Sequence, residues 1–156
     1  AGLAISEMAK HYKKDFNWLR IFQAYGPNES SSRLIPQVIH SLSSDKVVKI
    51  NNASKVLDWI HSDDVASAVA YSLNTEIEEH FLDVGTAKGT SVFEVVEKIA
   101  LILGANTDRI DISSLNSKAE IFRLVSSPKS ALFESGWHPN ISLEKGLIDV
   151  VNSCEN

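Results

Sequence analysis

A single cysteine, Cys154, occurs in the 156 residues, which excludes an internal disulfide framework and leaves a reduced thiol near the C-terminus. No apolar run approaches the roughly 20 residues that a membrane span needs, and the first residues carry no charged-then-apolar signal pattern. Lys and Arg are scattered and the net charge is -5, so a nucleic acid would find no basic stripe against which to release its counterions. Together these absences predict a cytoplasmic protein with neither nucleic acid nor membrane as a partner.

What is present has the composition of a globular protein, 44% apolar and 22% charged, in a length suited to one domain that buries most of a core. The most legible stretch is Leu57-Asp58-Trp59-Ile60-His61-Ser62-Asp63-Asp64-Val65-Ala66, which predicts a short buried strand running into a helix. Trp59 and Ile60 favour a strand. Ser62 is the expected N-cap, and Asp63 and Asp64 place negative charge at the positive end of the helix dipole. Val65, Val69 and Leu73 recur every fourth residue beside Ala66 and Ala70, so this face is expected to lie against a sheet.

Leu3, Ile5, Met8, Ala9 and Tyr12 repeat with helical spacing, and no capping residue precedes them. They resemble the back half of a helix, which predicts a fragment of a longer protein. Phe16 to Phe22 predicts a strand apolar at nearly every position and so covered on both faces, bounded by Tyr25-Gly26-Pro27-Asn28. Past the loop Glu29-Ser30-Ser31-Ser32, a helix is expected over 33–42. It faces inward through Leu34, Val38, Ile39 and Leu42, with Pro36 tolerated in its first turn. Lys46 to Ile50 and Glu79 to Gly85 predict further strands. Ser91-Val92-Phe93-Glu94 is a capping box for a helix with Val92, Val95, Val96, Ile99, Ile102 and Leu103 inward, closed by Gly104. Arg109 to Ile112 predicts an edge strand, and Ser142 to Cys154 a final helix facing inward through Leu143, Leu147, Ile148 and Val151.

Five stretches, in order along the chain, resemble one family. They are Leu19-Arg20-Ile21-Phe22-Gln23-Ala24-Tyr25-Gly26-Pro27, then Leu34-Ile35-Pro36, then Asp58-Trp59-Ile60-His61 with Asp64-Val65-Ala66, then Val84-Gly85 with Ser91-Val92-Phe93-Glu94, and last Gly136-Trp137-His138-Pro139. On these residues the chain is similar to the NAD-dependent epimerase/dehydratases, extended short-chain dehydrogenase/reductases that modify nucleotide sugars. The resemblance implies an α/β fold: the C-terminal part of a doubly wound, Rossmann-like parallel sheet plus a small α/β substrate-binding lobe. Residues 1–27 would end the dinucleotide-binding fold, 28–61 and 105–156 would form most of the lobe, and 62–104 would return to the sheet.

The same resemblance implies a set of roles. The cofactor would be NAD or NADP, held mainly by polypeptide ahead of position 1, with Ile21 and Phe22 lining the nicotinamide. The partner would be a nucleoside diphosphate sugar, contacted by Gln23, Arg33, Leu34, Val48, Ile50, Leu57, His61, Glu120 and Arg123, and the full-length protein would be a homodimer. Gln23 stands where the family has Asn, and Leu57 where it usually has the arginine that pairs with the diphosphate. Arg33 either supplies that lost charge, forking onto phosphate oxygens, or pairs with Glu29. The family's chemistry uses a Tyr-x-x-x-Lys helix. Here Tyr12, Tyr25 and Tyr71 are followed four residues on by Phe16, Glu29 and Thr75, so no catalytic residue is assigned within the chain and the chain alone is expected to be inactive.

Two other readings are open on the sequence. Gln23 and Leu57 would also suit a non-catalytic relative that only binds a sugar nucleotide. Leu82-Asp83-Val84-Gly85-Thr86-Ala87-Lys88-Gly89 looks like the first motif of S-adenosylmethionine-dependent methyltransferases, with Asp111 as the ribose-binding acid.

Overall fold

The computed structural model describes Glu7, Met8, His11, residues 16–112 and residues 122–154. Glu7, Met8 and His11 are helical and exposed, and the rest of the helix expected over residues 1–12 lies outside the described residues.

The strand expected from Phe16 to Phe22 is β1 (Trp18–Ile21), and past Phe22 a further strand, β2 (Gln23–Tyr25), lies in a different sheet. Two later strands receive them, β4 (Val56–His61) and β5 (Phe81–Val84). β1 runs parallel to β5, with Trp18 opposite Phe81 and Ile21 opposite Val84. β2 runs parallel to β4, with Gln23 opposite Trp59 and Tyr25 opposite His61. Phe22 is the pivot: its N–H still donates to the Val84 carbonyl at 3.1 Å, while its own carbonyl accepts from the Ala24 N–H at 2.9 Å. That i to i+2 bond is a three-residue turn, which redirects the chain from one ladder to the next.

β4 also pairs with β6 (Gly89–Ser91), antiparallel, and with β8 (Arg123–Leu124), parallel. A third, short parallel pair joins β3 (Val48–Lys49) to β7 (Ile110–Asp111). Besides helical Glu7, Met8 and His11 and a 3-10 turn at Thr107–Arg109, the described residues form the α-helices α1 (Leu34–Ser43), α2 (Ser62–Asn74), α3 (Val92–Ile102), α4 (Ala131–Glu134) and α5 (Leu143–Cys154).

Successive side chains of a strand point to opposite faces, and β4 feeds a separate apolar cluster on each side. Trp59 joins Tyr25, Ile35, Val38, Ile39, Val48, Ile50, Val95, Ile99 and Leu147, a core drawn from α1, α3 and α5. Ile60 joins Ala68, Leu82, Val84, Leu132 and Trp137. The first cluster includes α3, so it crosses the 62–104 boundary that the sequence suggested.

Several expectations are corrected by packing. The N-cap of α2 is His61, whose Nδ1 accepts from the Asp63 N–H at 3.2 Å, and Ser62 is already helical. The buried face of α2 is Asp64, Ala68 and Ser72, whereas Val69 is 40% and Leu73 80% exposed. Asp64 decides this rotation, because its buried carboxylate accepts from the Asn140 and Ile141 N–H groups at 2.9 and 3.0 Å. Two hydrogen bonds to a charge are each worth about 1.5–3 kcal/mol, comparable with burying two aliphatic side chains at about 1.5–3 kcal/mol each. Turning α2 to bury Val69 and Leu73 would also strand the carboxylate. In α5 the buried positions are Gly146, Leu147, Val150 and Val151, and Ile148 faces out. The capping box of α3 forms as expected, with Ser91 Oγ accepting from the Glu94 N–H at 3.1 Å and Glu94 Oε2 accepting from the Ser91 N–H at 2.7 Å.

Candidate functional site

Arg33, at the start of α1, reaches back to β2, which follows β1 through the pivot at Phe22. Ligands of open α/β sheets bind beyond the carboxyl ends of the strands. Ile21, the last residue of β1, is 48% exposed. Gln23 is half-buried, and its amide makes no hydrogen bond to another described residue. Arg33 occupies the N-cap position of α1 without capping it through its side chain. Its Nε donates to Glu29 Oε1 at 2.8 Å and its Nη2 donates to the Ala24 carbonyl at 3.4 Å. The pairing of Arg33 with Glu29 is thus formed, and the Ala24 contact brings the guanidinium to the residue next to Gln23.

The other expected contacts fall elsewhere. Val48 and Ile50 are buried in the larger core, so strand parity points Val47 and Lys49 outward instead. Leu34 and Leu57 are partly buried against the same core. His61 is buried beneath α5, its ring edge-on to Tyr25 with centroids 5.6 Å apart, and its Nδ1 is committed to the cap of α2. Arg123 is exposed on β8, and Glu120 lies outside the described residues. The structure therefore ties Arg33 to Ala24, the residue after Gln23, and turns Val48, Ile50 and His61 into core.

Below this ledge lies a polar clasp that the sequence reading missed. Asp58, fully buried in β4, accepts from the Thr86 N–H (2.8 Å), Thr86 Oγ1 (2.6 Å), Ala87 N–H (3.1 Å), Ser126 N–H (3.0 Å) and Ser126 Oγ (2.6 Å). An acid in the middle of the apolar run Leu57 to Ile60 was the available signal, since a buried carboxylate needs donors. The clasp holds the turn that follows β5 and overturns the methyltransferase reading. The amides of Thr86 and Ala87, which would have to face a ligand, are spent on Asp58, and the turn continues into β6 rather than a helix.

Burial and then the carboxylates of Asp64, Glu144 and Asp149 push the Tyr25 phenol well above its ordinary value. The hydroxyl and amide of Ser91 hold Glu94 low, and the Lys98 ammonium, 2.6 Å away, does the same for Glu144. That Lys98–Glu144 bridge crosses a groove of about 540 Å³ floored by Trp59. A larger groove, about 820 Å³, is lined by Phe16, Leu19, Val69, Leu73 and Ile77. Neither groove is lined by Gln23 or Arg33.

The model of the NAD dependent epimerase/dehydratase family matches residues 2–85. The chain belongs to that family. It is 24% identical over 159 residues to a GDP-L-fucose synthase of Sinorhizobium fredii, covering 94% of this chain and 49% of the relative. It is 26% identical over 149 residues to a UDP-glucuronate 4-epimerase of Thermodesulfobacterium geofontis, covering 93% and 45%. Among solved structures, the UDP-glucose 4-epimerase of Thermus thermophilus in complex with NAD superposes with a TM-score of 0.82 at 21% identity, over 98% of this chain and 50% of that one. The chain thus spans about half the length of these relatives and has their mixed α/β fold with parallel sheets.

Two features bear on whether a nicotinamide dinucleotide would fit here. Ile21 offers an exposed apolar side chain on which a flat ring could rest. The strand-to-helix turn from β4 into α2 carries Asp63 and Asp64 in its first turn, charges that would repel the dinucleotide's phosphates. No helix among the described residues is long and apolar enough to cross a membrane.

Proposed function

We propose that this chain is the substrate-holding part of an NAD- or NADP-dependent nucleotide-sugar epimerase, dehydratase or reductase that works through a 4-keto sugar. What supports this reading is the Gln23 amide, without a hydrogen-bond partner among the described residues and next in sequence to Ala24, whose carbonyl accepts from Arg33, in a chain of this family. The amide would donate to and accept from the sugar, and the Arg33 guanidinium would meet the diphosphate. Ile21 and Phe22 would line the nicotinamide, which supplies the hydride acceptor when bound. The cofactor would be held mainly by polypeptide beyond these residues, which would also carry the Tyr-Lys pair and contribute to a homodimer.

Two further features support a larger whole. β1 has a single strand neighbour, β5, among the described residues, and an unpaired edge is a place for another strand. Val69 and Leu73 open beside it onto the larger groove. By itself the chain would bind but turn nothing over.

Titration of the isotope-labelled chain with UDP-, GDP-, dTDP- and CDP-sugars tests the binding half. Shifts confined to residues 21–37 are expected with at least one base, and a flat response to all of them would end the proposal. NADH formation by the chain alone would refute the division of labour.

A further inference from the structure

We infer that Glu29 is a positioning residue for the anion-binding edge of Arg33. The inference rests on the substrate reading above and adds to it a residue that recognises no ligand itself. A guanidinium presents two edges suited to an oxyanion, the side edge at Nε and the end edge between its two η nitrogens. Here the side edge is taken up internally, by Glu29 through Nε and by the Ala24 carbonyl through Nη2. The end edge remains, and it fixes how an anion can dock: end-on, along the axis of the side chain.

The asymmetry of the pair shows which partner is the anchor. The Glu29 side chain is 14% exposed and that of Arg33 51%, so the acid is seated against the protein and the base reaches outward from it. A long side chain held at two atoms loses its rotamer freedom before a ligand arrives, and the ligand then need not offset that entropy. The same carboxylate partly neutralises the charge it holds. The two effects have opposite signs for an anionic ligand, which makes them separable.

The test is the affinity of the chain for UDP and GDP, with uridine and guanosine as phosphate-free controls, by calorimetry, alongside the melting temperature of each variant. Wild type is expected to prefer the diphosphate. Arg33→Ala should abolish that preference, a loss on the order of tenfold, and Glu29→Ala should remove most of it. Glu29→Gln keeps an oxygen acceptor for Nε and should retain the preference. Glu29→Asp keeps the charge but withdraws it by a methylene, so it should follow alanine. If Glu29→Ala tightens diphosphate binding, or leaves it unchanged while Arg33→Ala weakens it, Glu29 is only a neutralising charge and the inference is overturned. Equal losses for all three Glu29 variants, tracking a fall in melting temperature, would overturn it too. A wild type that binds diphosphate no better than nucleoside would instead overturn the substrate reading of the ledge itself.

Discussion

The hydroxyl of Tyr25 lies against the backbone of Gly146, with no space between them for a methyl group: a Cβ on Gly146 would overlap the oxygen and stand 2.9 Å from Cζ. Gly146 falls within α5, where alanine is ordinarily preferred to glycine by about 1 kcal/mol. The sign is expected to reverse here. Gly146→Ala should destabilise the chain by about 1–3 kcal/mol through overpacking, and Tyr25→Phe in the same chain should recover part of the loss by removing the clashing oxygen. Urea unfolding of the two single variants and the double checks this, and a stabilised Gly146→Ala would show that α5 is free to move off β4.

Asp58 anchors three segments of chain through one carboxylate. Asp58→Asn turns one of the two acceptor oxygens into a donor facing donors, at a cost of about 3 kcal/mol. Amide exchange at Thr86, Ala87 and Ser126 should accelerate by more than the global change, because the clasp is local. Uniform acceleration would mean that the turn is held by something else.

Ala87 adopts φ +57, the left-handed region in which a Cβ is strained. Ala87→Gly should therefore stabilise by about 0.5–1 kcal/mol. The gain will be smaller to the extent that glycine frees the unfolded chain. Thermal unfolding reads the difference, and a lower midpoint would place the constraint in the alanine methyl's own packing.

The raised Tyr25 phenol makes stability depend on pH at the alkaline end. In the unfolded chain the group ionises near its ordinary value of 10.0, while burial keeps it protonated in the fold. Its contribution is full below that value and is lost as pH rises beyond it. Tyr25→Phe should flatten that alkaline loss. Glu94 and Glu144, both held below the ordinary carboxyl value of 4.5, act in the opposite sense: what they add is present above that value and fades as pH falls. A stability profile from pH 3 to 11 for wild type and Tyr25→Phe checks both limbs, and identical alkaline limbs would remove Tyr25 from the account.

The sequence by itself determined the features that depend on neighbours in the chain. The capping box Ser91/Glu94, the inward face of α3 and the family motifs from Leu19 to Pro139 were all legible, because hydrogen bonds three residues apart and a 3.6-residue period are local. Tertiary structure alone decided the rest. His61 rather than Ser62 caps α2, because the helix begins at Ser62, directly after β4 ends at His61. Val48 and Ile50 are core rather than ligand wall because β3 pairs with the distant β7, and register fixes which alternate residues face inward. The run from Phe16 to Tyr25 is largely apolar and β-prone, and it holds no glycine or proline to mark the pivot. Only the separate positions of β5 and β4 break it at Phe22, and Gln23 begins the second ladder.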